Sequence, residues 1–91
     1  MNIFVLKAMR YLDNPELFTK DEMWENATAA DAAIGADVDY DAADTAADVA
    51  ADAFHAADCA DFADYDYWID EYFKKTGEDR QTYINEVERL R

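Results

Sequence analysis

The sequence predicts an all-α fold, a single domain over 1–91 with three or four helices organised around one long helix rich in Ala and Asp. Alanine, the strongest helix former, supplies 18 of the 91 residues. Apolar residues recur at helical spacing, and residues typical of helix ends stand between the helical segments. A chain of this length buries one modest core.

The N-terminal segment predicts a core helix over 2–12, although Ile3–Val5 leaves a short strand open. Asn14 and Pro15 then indicate a turn or a helix start. Thr19 and Glu22 have the spacing of a capping box.

That capping box predicts a second helix over about 20–33, which Gly35 ends. Its inward side is expected to carry Met23, Trp24 and Ala27.

The third helix is predicted to be the longest, from Asp39 or Asp41 to Lys75, with Gly77 as its C-terminal stop. A last helix should cover about 79–90, and its apolar stripe is Tyr83, Ile84, Val87 and Leu90.

On a helical wheel, the long helix separates acidic from small residues. One face carries Asp41, Asp44, Asp48, Asp52, Asp66 and Asp70, with His55 and Cys59 on the same line. The opposite face carries Ala43, Ala46, Ala50, Ala53 and Ala57, with Phe54 and Trp68 beside them. The alanine strip predicts close packing against another helix.

Charge is separated along the chain as well. The 16 acidic residues between Asp21 and Phe73 have no Lys or Arg among them, whereas the two ends carry all 8 basic residues against six acidic ones. The net charge of −14 excludes bare nucleic acid and anionic lipid as direct partners, since both are bound through cationic side chains. A basic protein surface is the expected partner.

The carboxylate row suggests a DNA mimic, a protein that presents carboxylates where a DNA-binding protein expects phosphates. Eleven Asp between Asp37 and Asp70, on a helix of roughly 50 Å, approach the charge density of one DNA strand, with a phosphate every ~3.4 Å. The expected partner is a basic DNA-binding protein such as a nuclease. The candidate partner-binding residues are Asp37, Asp41, Asp44, Asp48, Asp52, Asp58, Asp61, Asp66 and Asp70.

A second function stays open: an acidic interaction module, antitoxin-like or an adaptor, that binds through its alanine strip. The strip also allows a homodimer. The aromatic residues Phe62, Tyr65, Tyr67, Trp68, Tyr72 and Phe73 are expected in the core against Phe4, Tyr11, Phe18 and Trp24, with an exposed partner patch as the alternative.

Metal and catalytic sites are weakly indicated. Asp37 to Asp48 copies the ligand spacing of a calcium-binding EF-hand loop, but Ala42 stands where the turn needs Gly. His55 and Cys59 could share a zinc ion, yet a structural site needs four ligands. No oxyanion hole or phosphate loop is indicated, so neither an enzyme nor a cofactor is predicted.

The N-terminal apolar run is interrupted by Lys7 and Arg10, so it predicts neither a signal peptide nor a membrane span. Cys59 is the single cysteine and excludes an internal disulfide. A cytoplasmic protein is expected.

Three stretches carry a resemblance: 1–10, 14–19 and 72–83. With the Ala- and Asp-rich centre between them, they resemble small acidic proteins of tailed bacteriophages to which no activity is assigned. In charge and size, though not in motif, the chain is similar to phage DNA-mimic inhibitors of restriction, CRISPR and repair enzymes. That analogy implies counter-defence in the host cytoplasm, through a host enzyme's DNA groove.

Overall fold

The computed structural model describes residues 1–36, 40–59 and 65–91. Within these ranges the chain forms five α-helices and no strand, which confirms the all-α class. The helices are α1 (Ile3–Asp13), α2 (Lys20–Ala33), α3 (Tyr40–Cys59), α4 (Tyr65–Thr76) and α5 (Arg80–Arg89). Short 3₁₀ turns at Pro15–Leu17 and Ile34–Ala36 follow α1 and α2.

The first helix begins at the residue that caps it. The side chain of Asn2 accepts hydrogen bonds from the backbone N–H groups of Phe4 (2.9 Å) and Val5 (3.1 Å), which satisfies two of the free donors at the helix start. Val5 and Ala8 are fully buried. The helical prediction for this segment is confirmed, and the strand alternative is wrong.

The predicted capping box starts α2. Thr19 Oγ1 accepts from the N–H of Glu22 (3.1 Å), and the carboxylate of Glu22 accepts from the N–H of Thr19 (2.9 Å). Met23 is buried as predicted, but Trp24 is 53% exposed, so its predicted inward position is wrong. The buried polar residue on this helix is Asn26, whose side-chain amide donates to the carbonyl of Phe4 on α1 (3.2 Å).

The third helix is the centre of the fold, because it packs against α1, α2 and α4. Its alanine face makes these contacts: Ala50 and Ala53 are fully buried, and Ala43 and Ala46 nearly so. Small side chains allow the neighbouring backbones to approach closely. The predicted packing face is confirmed.

The single long helix from Asp39 or Asp41 to Lys75 is wrong. Helix α3 ends at Cys59, a new helix α4 begins at Tyr65, and the two pack against each other. The described residues therefore contain five α-helices rather than three or four. Burial explains the change: Ile69 and Tyr72 of α4 join the same core as Ala53. One straight helix would leave them apart from that core.

The predicted C-terminal stop at Gly77, which follows α4, is confirmed. Gly77 adopts a φ of 70°, which favours glycine, and its N–H donates to the carbonyl of Phe73 (3.0 Å). Asp79 then caps α5 through the N–H of Gln81 (3.0 Å). Tyr83 and Val87 of the predicted α5 stripe are buried.

Of the aromatic run, Tyr72 is buried, Trp68 and Phe73 pack against the core, and Tyr67 is 59% exposed. The core prediction is therefore confirmed for three of these side chains and wrong for Tyr67. Phe62 and the side chain of Tyr65 lie outside the described residues.

A carboxylate joins three helices at one end of the core. Glu78 accepts hydrogen bonds from the hydroxyls of Tyr72 and Tyr83, both at 2.5 Å. The Tyr83 hydroxyl also accepts from the N–H of Asn2 (2.6 Å), which ties the start of α1 to α5. Burial first, and then the bond to Glu78, raise the pKa of both tyrosine hydroxyls. Both therefore remain protonated donors.

No helix of the described residues is long and apolar enough to cross a membrane.

Replacing Glu78 by Ala should lower the free energy of unfolding by about 1–3 kcal/mol, because two tyrosine hydroxyls lose their acceptor. Glu78→Gln keeps one carbonyl oxygen, so its free energy of unfolding should lie between those of the parent and Glu78→Ala. Urea unfolding followed by circular dichroism measures both. Glu88→Ala, at an exposed position of α5, should change stability by less than about 0.5 kcal/mol. Equal stabilities of the Glu78→Ala and Glu88→Ala proteins would contradict the role of this network.

Candidate partner-binding face

Four carboxylates form one line on α3, opposite its buried alanines. We call Asp41, Asp44, Asp48 and Asp52 the acid strip. Asp41 is exposed in the first turn of the helix, where the helix dipole favours a negative charge, and the other three are partly buried. Because the alanine face is fixed in the core, the direction of the strip is fixed too.

The rest of the predicted row does not continue this line. Asp66 and Asp70 lie on α4, a separate helix, so their predicted place on the same face is wrong. Asp70 pairs with Arg80 (2.5 Å), and Asp58 at the end of α3 pairs with Lys20 (3.3 Å). Asp37 and Asp61 lie outside the described residues.

The acid strip is shorter than the predicted row. Helix α3 has 20 residues and is about 30 Å long, not 50 Å. From Asp41 to Asp52 the strip covers about 17 Å at ~1.5 Å per residue, which equals about five phosphate steps of one DNA strand.

The carboxyl group of Asp48 is both partly buried and close to another negative charge. Burial is the largest effect that raises the pKa of its carboxyl group, and the neighbouring charge of Asp44 raises it further. The charge of Lys75 on α4 acts in the opposite direction. The strip therefore holds charge that costs free energy in the isolated protein.

Four of the eight basic residues are engaged away from the strip. Lys7 and Arg10 lie over the ring of Phe18, at 5.3 and 5.2 Å from its centroid. Arg91 binds Asp13 through two hydrogen bonds (2.9 and 2.6 Å), and Arg89 binds Glu86. For these four residues the separation of charge in the sequence is also a separation in space, whereas the charge of Lys75 on α4 acts on Asp48 of the strip.

A groove between α2 and α3 borders the acid strip. It is open, has a volume of about 320 Å³, and we call it the α2–α3 groove. Its lining is Trp24, Ala27, Thr28, Asp31 and Ile34 from the α2 side, and Asp44, Ala47, Asp48, Ala51 and Phe54 from α3. Two residues of the strip thus face a partly apolar surface with an exposed indole at its rim.

Trp24 and Asp31 are not among the partner-binding residues that the sequence predicts. Their positions carry a signal, because Trp24, Thr28 and Asp31 are four and three residues apart and share one face of α2. That face lies next to the acid strip only once α2 and α3 pack, which the spacing within either helix does not specify.

The calcium alternative does not fit this fold. An EF-hand needs a loop through its ligand positions, whereas Asp41 to Asp48 are helical. Asp37 and Asp39 lie outside the described residues. Among the residues that the structure describes, no group of three His, Cys, Asp or Glu is placed to hold a metal ion.

Comparison of the chain with protein-family models, curated proteins and solved structures finds no match.

Asp48→Asn should raise the free energy of unfolding at pH 7, by less than about 1 kcal/mol because solvent screens this partly exposed group. The folded protein holds the Asp48 proton more tightly than the unfolded chain does. The charged form is therefore destabilising above the unfolded-state pKa, and the penalty disappears below both pKa values.

Urea unfolding at several pH values measures this. The gain from Asp48→Asn should be full at pH 7 and vanish below about pH 3.5. Asp66→Asn, the same change at an exposed position of α4, is the matched control. A gain that is independent of pH would contradict a charge effect at Asp48.

Proposed function

We propose that the protein is a DNA-mimic inhibitor, which presents the acid strip of α3 to the basic DNA-binding surface of a nucleic-acid enzyme. The observation that carries the proposal is the line of four carboxylates that the central helix presents opposite its buried face. Four of the eight basic residues are engaged elsewhere: Lys7 and Arg10 with Phe18, Arg91 with Asp13, and Arg89 with Glu86.

The spacing of the carboxylates sets how much of a DNA strand the strip can match. Steps of three and four residues place successive carboxylates of the strip ~4.5–6 Å apart along the axis, against ~3.4 Å for phosphates on one DNA strand. The strip is therefore less dense than DNA and matches only a few phosphates. Asp31, across the groove on α2, adds a carboxylate beside the strip and widens the acidic surface.

A rigid support also favours this function. The strip stands on a helix whose opposite face is locked in the core by Ala50 and Ala53. Carboxylates held in place before binding lose little conformational freedom when a partner arrives. Their field also attracts basic surfaces, which raises the association rate at low ionic strength.

The biological setting follows from the resemblance to phage proteins. We propose that the partner is a bacterial defence enzyme, such as a restriction or CRISPR nuclease, and that inhibition takes place in the host cytoplasm. The inhibitor would occupy the groove through which such an enzyme binds DNA.

The alternative, an antitoxin-like or adaptor module, would bind through the alanine strip of α3. In this fold four of the five alanines of that strip, Ala43, Ala46, Ala50 and Ala53, are buried against the protein's own helices. A partner, or a second copy in a homodimer, would have to displace that packing. The acid strip needs no such rearrangement.

The proposal predicts competition with DNA. The protein should displace a fluorescent DNA duplex from at least one purified bacterial defence nuclease, and its apparent affinity should fall steeply with added salt. Asp44→Asn together with Asp48→Asn should weaken displacement at least tenfold and flatten the salt dependence, since two central charges are lost.

The matched control is Glu16→Gln together with Glu88→Gln. Both double variants lower the net negative charge by two. Glu16 and Glu88 are exposed, and they lie outside the acidic segment between Asp21 and Phe73. The control should displace DNA nearly as well as the parent. Equal affinity and salt dependence of parent and Asp44→Asn/Asp48→Asn protein would rule out the acid strip as the mimic surface.

A further inference from the structure

The α2–α3 groove has an aromatic end and an acidic end. The ion pair of Lys20 with Asp58 joins the start of α2 to the end of α3, so the two helices are antiparallel. At the opposite end, Ile34 packs against the cluster of Ala30, Ala47 and Ala50. Trp24 and Phe54 therefore lie towards one end of the groove, and Asp31 and Asp44 towards the other.

The groove is open to solvent and is lined by both α2 and α3. A side chain that projects from a partner's surface can therefore enter it without displacing either helix.

The lining selects a side chain that is both cationic and flat. Asp44 and Asp48 on α3 and Asp31 on α2 supply negative charge from both walls, and the lining within the described residues contains no Lys or Arg. Trp24 is 53% exposed, so its indole is accessible for stacking. A cation attracted by the carboxylates can contact the aromatic end as well.

Arginine satisfies both ends better than lysine does. Its planar guanidinium stacks on aromatic rings, binds carboxylates through two parallel hydrogen bonds, and is less strongly hydrated than an ammonium group. Tryptophan is the strongest aromatic partner for a cation.

We propose that the α2–α3 groove receives an arginine side chain from the basic surface of the partner, stacked on Trp24 and paired with Asp48, which lies nearer the aromatic end than Asp44 does. This inference rests on the proposed function and makes it more specific. The acid strip supplies general attraction, and the groove selects arginine within the basic surface.

Hexa-arginine and hexa-lysine peptides, which carry the same charge, test the preference by calorimetry at low salt. The parent protein should bind hexa-arginine more tightly. Trp24→Leu should reduce the ratio of the two affinities roughly two- to fivefold, because the cation loses its aromatic partner. Trp24→Phe should restore part of the ratio. Tyr67→Leu, at another exposed aromatic residue on α4, is the matched control and should leave the ratio unchanged.

An NMR titration locates the contact. The indole N–H signal of Trp24, assigned by its loss in Trp24→Phe, should shift with hexa-arginine more than that of Trp68. An unchanged affinity ratio in Trp24→Leu, or no shift of the Trp24 signal, would overturn the proposal. Trp24 is largely exposed, so these variants are expected to fold.

The two proposals can fail separately. If the protein displaces DNA from a nuclease while Trp24→Leu keeps the full arginine preference, the DNA-mimic proposal is supported and the arginine-site proposal is wrong. If Trp24→Leu abolishes the preference while no nuclease loses its DNA, the arginine site stands and the DNA-mimic proposal falls.

Discussion

The structure depends on one constraint: α3 must bury most of its surface while it carries the four carboxylates of the acid strip. It contacts α1, α2 and α4, so only a narrow part of its circumference is left to solvent. Alanine at most buried positions, with Ala50 and Ala53 fully enclosed, lets three helices come close. The carboxylates are thereby concentrated in one strip, where Asp44 and Asp48 raise each other's free energy.

That cost is offset elsewhere in the molecule. Lys20 and Arg80 pair with Asp58 and Asp70, two acids outside the strip, and such exposed pairs each contribute up to about 1 kcal/mol. The buried network around Glu78 contributes more per contact, since both tyrosine hydroxyls would otherwise lose their acceptor. These ion pairs and the network around Glu78 therefore offset part of the repulsion within the strip.

Local signals in the sequence predict the ends of helices well, and the packing between helices poorly. Thr19 with Glu22, and Gly77, mark helix ends through bonds to near neighbours, so their pattern is sufficient. Residues 60–64 contain neither Gly nor Pro, so nothing in helix propensity separates α3 from α4. The separation comes from burial of Ile69 and Tyr72, a tertiary effect. The wrong prediction for Trp24 has the same cause. The helical period of α2 predicts an inward position, but the exposure of Trp24 depends on where α3 packs.

The repulsion within the strip bears directly on binding. A carboxylate whose pKa is raised by burial and by a neighbouring charge, as at Asp48, is in a state that a cation improves. The free energy that Asp44 and Asp48 cost the isolated protein is recovered when a positive group lies between them. Because the helix holds the strip fixed, the protein cannot relieve that repulsion by moving the side chains far apart. On the proposal that the strip binds a basic partner, the repulsion that lowers stability also favours binding, so a variant that gains stability by losing charge is expected to lose affinity.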